Sequence, residues 1–173
     1  MNNFWFYILA LALVGCSTTP SIQEYYVSKT EDPNFLVIDI PTSILGIDNS
    51  TLSAEEQDAL NSFQKVNVLL FRKTPANADL LPEELAMVRS IIDAKTFEPL
   101  LVMNDRQYSG KLVLEGTVEN PDELVFFGAA GEGFVLARLI GRDMQVEKAM
   151  LLANVIQRGN GIENAAKMLS GMF

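Results

Sequence analysis

The sequence predicts an α+β fold in which a single mixed or mostly antiparallel sheet of about five strands packs against helices. Two observations indicate this class. Helical patterns come mainly in the first half of the folded part, whereas three short apolar runs separated by turn residues follow one another later. In addition, 49% of the 173 residues are hydrophobic and 20% are charged, which is enough apolar material for one domain with a buried core.

The first predicted elements are a strand, a helix and a second strand. The apolar run of residues 35–40 ends at a proline and predicts strand one. Ser53 and Glu56 have the spacing of a capping box, in which each side chain accepts a hydrogen bond from the backbone N–H of the other, so a helix is predicted to begin here. Residues 66–71 predict strand two.

Two helices are predicted next. Pro82 and the two glutamates after it suit a first helical turn, and apolar residues at helical spacing continue to Ile92. Residues 96–99, Thr-Phe-Glu-Pro, are interpreted as a second helix start, with an apolar side that extends to Met103.

The last part of the folded chain is predicted as a three-strand meander and a helix. The strands are expected at residues 111–118, 123–127 and 133–140, with turns at 120–122 and 130–132. Asp143 is predicted to cap a helix that runs to Ile156, and a short final helix is expected at 162–169.

The single cysteine of the chain, Cys16, follows an apolar run. Residues 4–14 form this run, and its 11 residues are too few for a membrane-spanning helix but typical of a signal peptide. The next motif, Leu13-Val14-Gly15-Cys16, resembles the lipobox of bacterial lipoproteins. Two alternatives are a buried cysteine in an ordinary helix and a catalytic thiol, and no histidine or nearby cation favours the second.

The lipobox resemblance implies a division of the chain. Residues 1–15 are expected to be a signal peptide cut between Gly15 and Cys16, and Cys16 is expected to carry a diacylglyceryl group. Residues 16–33 would be a lipidated tether, and 34–173 a single domain. Because Ser17 rather than aspartate follows the cysteine, Gram-negative sorting rules imply the outer membrane, on its periplasmic face.

The order of these elements, with two further stretches, resembles a known family. The stretches are residues 97–103, Phe-Glu-Pro-Leu-Leu-Val-Met, and residues 134–141, Phe-Val-Leu-Ala-Arg-Leu-Ile-Gly. Over residues 34–158 the chain resembles the small lipoproteins grouped as domain-of-unknown-function family 4252. The resemblance implies a Gram-negative envelope, but it brings no known activity and no catalytic residue.

Composition excludes several kinds of chemistry. The chain has no histidine, so it lacks the usual base of serine and cysteine hydrolases and the commonest zinc ligand. Its 22 acidic and 13 basic residues give a net charge of −9, which repels nucleic-acid phosphates. No catalytic residue, metal or cofactor is therefore predicted, and no nucleic-acid partner.

Two kinds of motif that could carry chemistry are interpreted as structural. Residues 126–134, Phe-Phe-Gly-Ala-Ala-Gly-Glu-Gly-Phe, are predicted to form a hairpin turn rather than a phosphate loop, since a strand pattern follows them and Glu132 would repel phosphate. Most of the four acid pairs stand at predicted helix starts or turns, where acids are expected: they are Glu31-Asp32, Glu55-Glu56, Glu83-Glu84 and Asp122-Glu123.

These observations support one function hypothesis and two alternatives. The hypothesis is a non-enzymatic envelope lipoprotein that binds an unknown ligand or a protein partner while its lipid holds it at the membrane. One alternative is a carboxylate-dependent envelope hydrolase, which requires two acids at one pocket. The other is an envelope sensory or stress-response component, which an exposed apolar patch near the C-terminal helix would favour. Methionines near the C-terminus, Met144, Met150, Met168 and Met172, suit either core packing or such a patch.

Overall fold

A computed structural model of the chain describes residues 19–42 and 47–158. In chain order its strands are β1 Phe35–Pro41, β2 Phe63–Arg72, β3 Phe97–Asn104, β4 Tyr108–Gly116, β5 Pro121–Ala130 and β6 Gly133–Gly141. Its α-helices are α1 Ile22–Lys29, α2 Ala54–Ser62, α3 Leu81–Ile92 and α4 Val146–Arg158. The strands form one sheet in the order β1-β2-β6-β5-β4-β3, and every neighbouring pair is antiparallel. The α+β prediction is confirmed, with six strands in the sheet rather than five.

The sixth strand is β3, where the sequence predicted a helix. Pro99 lies in this strand, next to an irregularity in the pairing with β4 between Pro99 and Leu101. Proline lacks an N–H and is tolerated in an edge strand, where one side of the backbone has no neighbour. The prediction of a helix start at residues 96–99 was therefore wrong, because the same Pro-containing motif also fits the start of an edge strand.

The other predicted strands and the capped helix are confirmed, with longer strands than expected. At the start of α2 the Glu56 N–H donates to Ser53 Oγ at 3.2 Å, and the Ser53 N–H donates to the Glu56 carboxylate at 2.9 Å. Helix α4 begins at Val146, later than predicted, because Asp143 has a left-handed backbone with φ of 53°. The predicted final helix at 162–169 lies outside the described residues.

Helix α1 occupies part of the segment that was predicted to be a tether. Its residues Ile22, Tyr25 and Tyr26 are buried in the main core. The Tyr26 hydroxyl donates to the carbonyl oxygen of Leu136 at 2.6 Å and lies 3.1 Å from that of Asn67. The folded unit thus begins before residue 34, because two tyrosines bury their rings and Tyr26 reaches backbone carbonyls with its polar end.

The two faces of the sheet are covered differently. Helices α1 and α3 pack on one face, together with buried residues of β2, β4, β5 and β6, and form the main core. On the other face α2 and α4 form a smaller core around Phe63, Leu114 and Leu124, which also takes in Met144. Beyond this smaller core the second face continues over Leu70, Val135 and Met103, which are half-buried or exposed. We call this part of the sheet, towards the β5–β6 turn, the open half-face.

Candidate functional site

The open half-face contains a cavity of about 480 Å³, which we call the sheet cavity. Every residue that lines it belongs to a strand or to the β5–β6 turn, so no helix of the described part forms a wall. The lining is mostly apolar or glycine: Leu70, Phe71, Met103, Tyr108, Gly110, Phe126, Gly128, Ala129, Ala130, Gly133, Phe134 and Val135, with Ser109, Arg72 and Glu132.

Two glycines on neighbouring strands form the floor of the sheet cavity. Gly110 and Gly128 are register partners in β4 and β5, and Val135 and Met103 continue the same row on either side. A β carbon on Gly110 would lie 2.8 Å from Met103 Cε, and one on Gly128 would lie 3.2 Å from the Phe126 ring. The side chains of Met103 and Phe126 therefore occupy space that larger residues at the glycine positions would take.

The cavity mouth carries the charged groups. Arg72, at the end of β2, and Glu132, in the β5–β6 turn, both line the cavity and are exposed. Tyr108 is 55% exposed and stands at the start of β4. A ligand that enters this site would meet apolar side chains inside and a cation and an anion at the rim, which is the usual composition of a small-molecule pocket.

The glycine-rich stretch of residues 126–134 forms the hairpin that the sequence predicted. Residues 131 and 132 make the turn between β5 and β6. Gly133 has φ of 140°, and a β carbon there would collide with the carbonyl oxygen of Phe71, so only glycine lets β6 approach β2 at this point. Sequence reasoning found the turn but missed the cavity. The sequence signal that could have indicated the cavity is the pair of glycines, Gly110 and Gly128, inside otherwise apolar strands.

Among the carboxylates of the predicted acid pairs, that of Asp32 accepts hydrogen bonds from Asn34 in a turn, and three others have partners in helices or the core. Glu56 closes the capping box of α2. Glu84 accepts hydrogen bonds from Tyr25 Oη at 2.8 Å and from Lys29 Nζ at 2.5 Å, which ties α3 to α1. Glu123 pairs with Arg138. These residues are placed for helix capping and core electrostatics, and the sheet cavity itself is lined by one carboxylate, that of Glu132.

The Arg138–Glu123 pair is the most buried ion pair described in the sheet. Arg138 Nε and Nη2 donate to the two Glu123 oxygens at 2.5 and 2.8 Å, and both side chains are only about a tenth exposed. Burial lowers the pKa of Arg138, but the hydrogen bonds and charge of Glu123 outweigh burial and raise that pKa above its ordinary value. The two parallel hydrogen bonds fix the Arg138 guanidinium in one orientation.

Two other carboxylates near this pair, those of Glu115 and Asp39, have pKa values that are shifted in opposite directions. Burial, followed by the charges of Glu123 and Asp122, raises the pKa of Glu115. Asp39 is exposed on β1, an edge strand of the sheet, and a hydrogen bond from Lys65 lowers its pKa. No substrate-sized opening among the described cavities joins Glu115 to Glu123.

The predicted lipidation and cleavage residues, Cys16 and Gly15, lie outside the described residues, as do Met168 and Met172. Met144 is buried in the smaller core, which confirms core packing for this residue, whereas Met150 is 65% exposed. Within residues 19–42 and 47–158, no helix combines the length and apolar character that crossing a membrane requires. The same residues contain no cluster of three or more aspartate or glutamate side chains that could hold a metal ion.

Comparison with known proteins gives one match. No curated protein matches the chain, and no solved structure does. A family described as a domain of unknown function, DUF4252, matches residues 25–152. The match begins within α1, consistent with a domain that starts before residue 34, and it ends within α4. It spans well over half of the chain, and we conclude that this protein belongs to the DUF4252 family.

Proposed function

We propose that the protein is a non-enzymatic binding module of the bacterial cell envelope, anchored in the outer membrane by a lipid on Cys16, and that the sheet cavity is its ligand site. The sheet cavity is the observation that carries the proposal. Its volume of about 480 Å³ falls in the range typical of small-molecule sites, and its interior side chains are apolar. The ligand we propose is an amphipathic molecule with an alkyl chain and one polar end.

The shape and charge of the site support this class of ligand. An alkyl chain laid over Gly110 and Gly128 would contact Phe126, Val135 and Met103, which are partly exposed in the described structure. Covering such surface stabilises a complex by about 25 cal/mol for each Å² of apolar area removed from water. A polar end would remain at the rim, within the field of Arg72. The structural roles of Glu56, Glu84 and Glu123 support a binding role over a carboxylate hydrolase.

The experiment is photocrosslinking of the full chain in its native membranes with a diazirine-labelled fatty acid. We expect the label in peptides from β4, β5 and β6, mapped by mass spectrometry. Gly110→Leu should lower labelling there several-fold, because the new side chain occupies the floor after Met103 rotates away. Gly131→Leu is the matched control, since a β carbon at Gly131 meets nothing within 4 Å.

Equal labelling of the Gly110→Leu and wild-type chains at these peptides would contradict the assignment of the ligand site. Thermal unfolding of both variants, followed by circular dichroism, establishes whether each substituted domain remains folded.

A further inference from the structure

The register of four strands gives the sheet cavity the form of a trough. The outermost row of the open half-face consists of four successive register partners, each on a different strand: Tyr108, Ala130, Gly133 and Arg72. The two middle residues of this row are small, as are the two glycines of the cavity floor in the next row. Three strand spacings separate Tyr108 from Arg72, so their Cα atoms lie about 14 Å apart, on opposite sides of the trough.

The trough has an apolar inner end and a polar outer end. Phe126 lies on the same face of β5 as Gly128, two residues earlier, and its ring stands at the inner end. At the outer end the chain turns from β5 into β6, and the turn residue Glu132 lines the cavity. An alkyl chain in this trough would run along the strands and bring its polar head group to the outer end. Because the cavity is one trough, we expect a ligand with one alkyl chain.

The charges at the outer end favour a head group that carries both signs. Arg72 and Glu132 are exposed, and neither forms an ion pair with another described residue. An anionic head group would be attracted by Arg72 but repelled by Glu132 and by the net charge of −9. A cationic head group would be repelled by Arg72. A zwitterionic head group is complementary to both residues.

We propose that the ligand of the sheet cavity is a single-chain phospholipid whose head group carries a phosphate and an ammonium. Arg72 binds the phosphate, because a guanidinium can donate two parallel hydrogen bonds to two phosphate oxygens. Glu132 binds the ammonium through its charge. The Tyr108 ring is 55% exposed at the same end, and its aromatic face attracts the same cation. This inference rests on the proposed function, since it names the head group of the ligand proposed there.

The test compares photocrosslinking probes that share one diazirine-labelled alkyl chain and differ only in head group, applied to the full chain in its native membranes. The zwitterionic probe carries phosphoethanolamine, and the two anionic probes carry phosphoglycerol or a carboxylate. We expect the zwitterionic probe to label peptides from β4, β5 and β6 several-fold more strongly than either anionic probe. Equal labelling by all three probes would overturn the head-group inference and would leave the cavity as a ligand site.

Neutral variants of the two charged residues test their roles separately. Glu132→Gln should raise labelling by the anionic probes several-fold and lower labelling by the zwitterionic probe, because it removes both a repulsion and the partner of the ammonium. Arg72→Gln should lower labelling by the two phosphate probes several-fold. The matched controls are Glu119→Gln and Arg106→Gln, which change exposed residues outside the cavity lining and should leave all labelling unchanged.

The outcomes separate this inference from the proposed function. A preference for the zwitterionic probe that persists in Glu132→Gln would overturn the assignment of the ammonium to Glu132. If no probe labels these peptides in the wild-type chain, the ligand site itself is overturned, and the head-group inference with it. Circular dichroism of each variant, compared with the wild-type chain, establishes that a change in labelling does not come from unfolding.

Discussion

At the scale of single residues, the buried pair of Arg138 and Glu123 shows how the sheet accommodates charge. The two residues lie on neighbouring strands, on the face covered by α1, and the Tyr26 ring lies 5.4 Å from the guanidinium carbon. Every buried side-chain polar atom in the described part of the chain has a hydrogen-bond partner. Because both charges are paired, removal of either one leaves the other buried without compensation.

We expect Glu123→Gln to destabilise the protein by about 3 kcal/mol, because the Arg138 charge would remain buried without its partner. The matched control is Asp58→Asn, which removes a surface ion pair with Lys148 whose Asp58 side chain is 68% exposed. That control should cost about 1 kcal/mol or less. Urea unfolding followed by circular dichroism measures both changes, and equal losses for the two variants would contradict the structural role of the buried pair.

At the scale of elements, α1 and β3 are the two places where sequence reasoning failed. The segment before residue 34 looked like a polar tether, and residues 96–99 looked like a helix start. Both errors have the same cause. A short helix that buries one isoleucine and two tyrosines has a weak apolar pattern, and proline with an acid before it occurs at helix starts and in edge strands alike. Contacts with distant parts of the chain determine whether such a segment forms a helix, a strand or a tether.

The role of α1 can be tested by comparing two neighbouring residues of the helix. Tyr26 is buried and hydrogen-bonded, whereas Val27 is 70% exposed. We expect Tyr26→Ala to lower the free energy of unfolding by about 3 to 5 kcal/mol, as is typical for removal of a buried aromatic ring. Val27→Ala should change it by less than about 0.5 kcal/mol. If urea unfolding found the two substitutions equally mild, the segment would be a tether after all.

At the scale of the whole molecule, two features define the proposed function: a lipid at one end and an apolar cavity on the sheet. A single acyl chain holds a protein at a membrane only weakly, and two or more give stable anchoring. The lipobox resemblance predicts at least two chains on Cys16. A domain held in this way would meet amphipathic molecules at the membrane surface, where the sheet cavity could take one end of such a molecule.

We expect Cys16→Ala to abolish lipid labelling and to release the protein from the membrane fraction. The measurement is metabolic labelling with a palmitate analogue, followed by cell fractionation. Ser17→Ala is the neighbouring control and should keep the label, because it leaves the acylated sulfur in place. Undiminished labelling of the Cys16→Ala chain would contradict lipidation at this residue.

The fold and the site differ in how far the sequence predicted them. Five of the six strands, the capping box at Ser53 and the hairpin after Phe126 follow from local patterns, because alternation, caps and turn residues act over a few positions. The sheet cavity does not follow from them. It depends on Gly110 and Gly128 being register partners, and register is a relation between strands that are distant in sequence.

The sequence by itself determined the fold class, the family resemblance, the excluded chemistries and the expectation of a lipid at Cys16, since each rests on residue types and short-range order. Only the tertiary structure decided that β3 is an edge strand, that α1 belongs to the core and that the described helices cover only part of one sheet face. Each of these outcomes depends on which surfaces meet across the molecule, and burial between distant segments leaves little trace in any single stretch of chain.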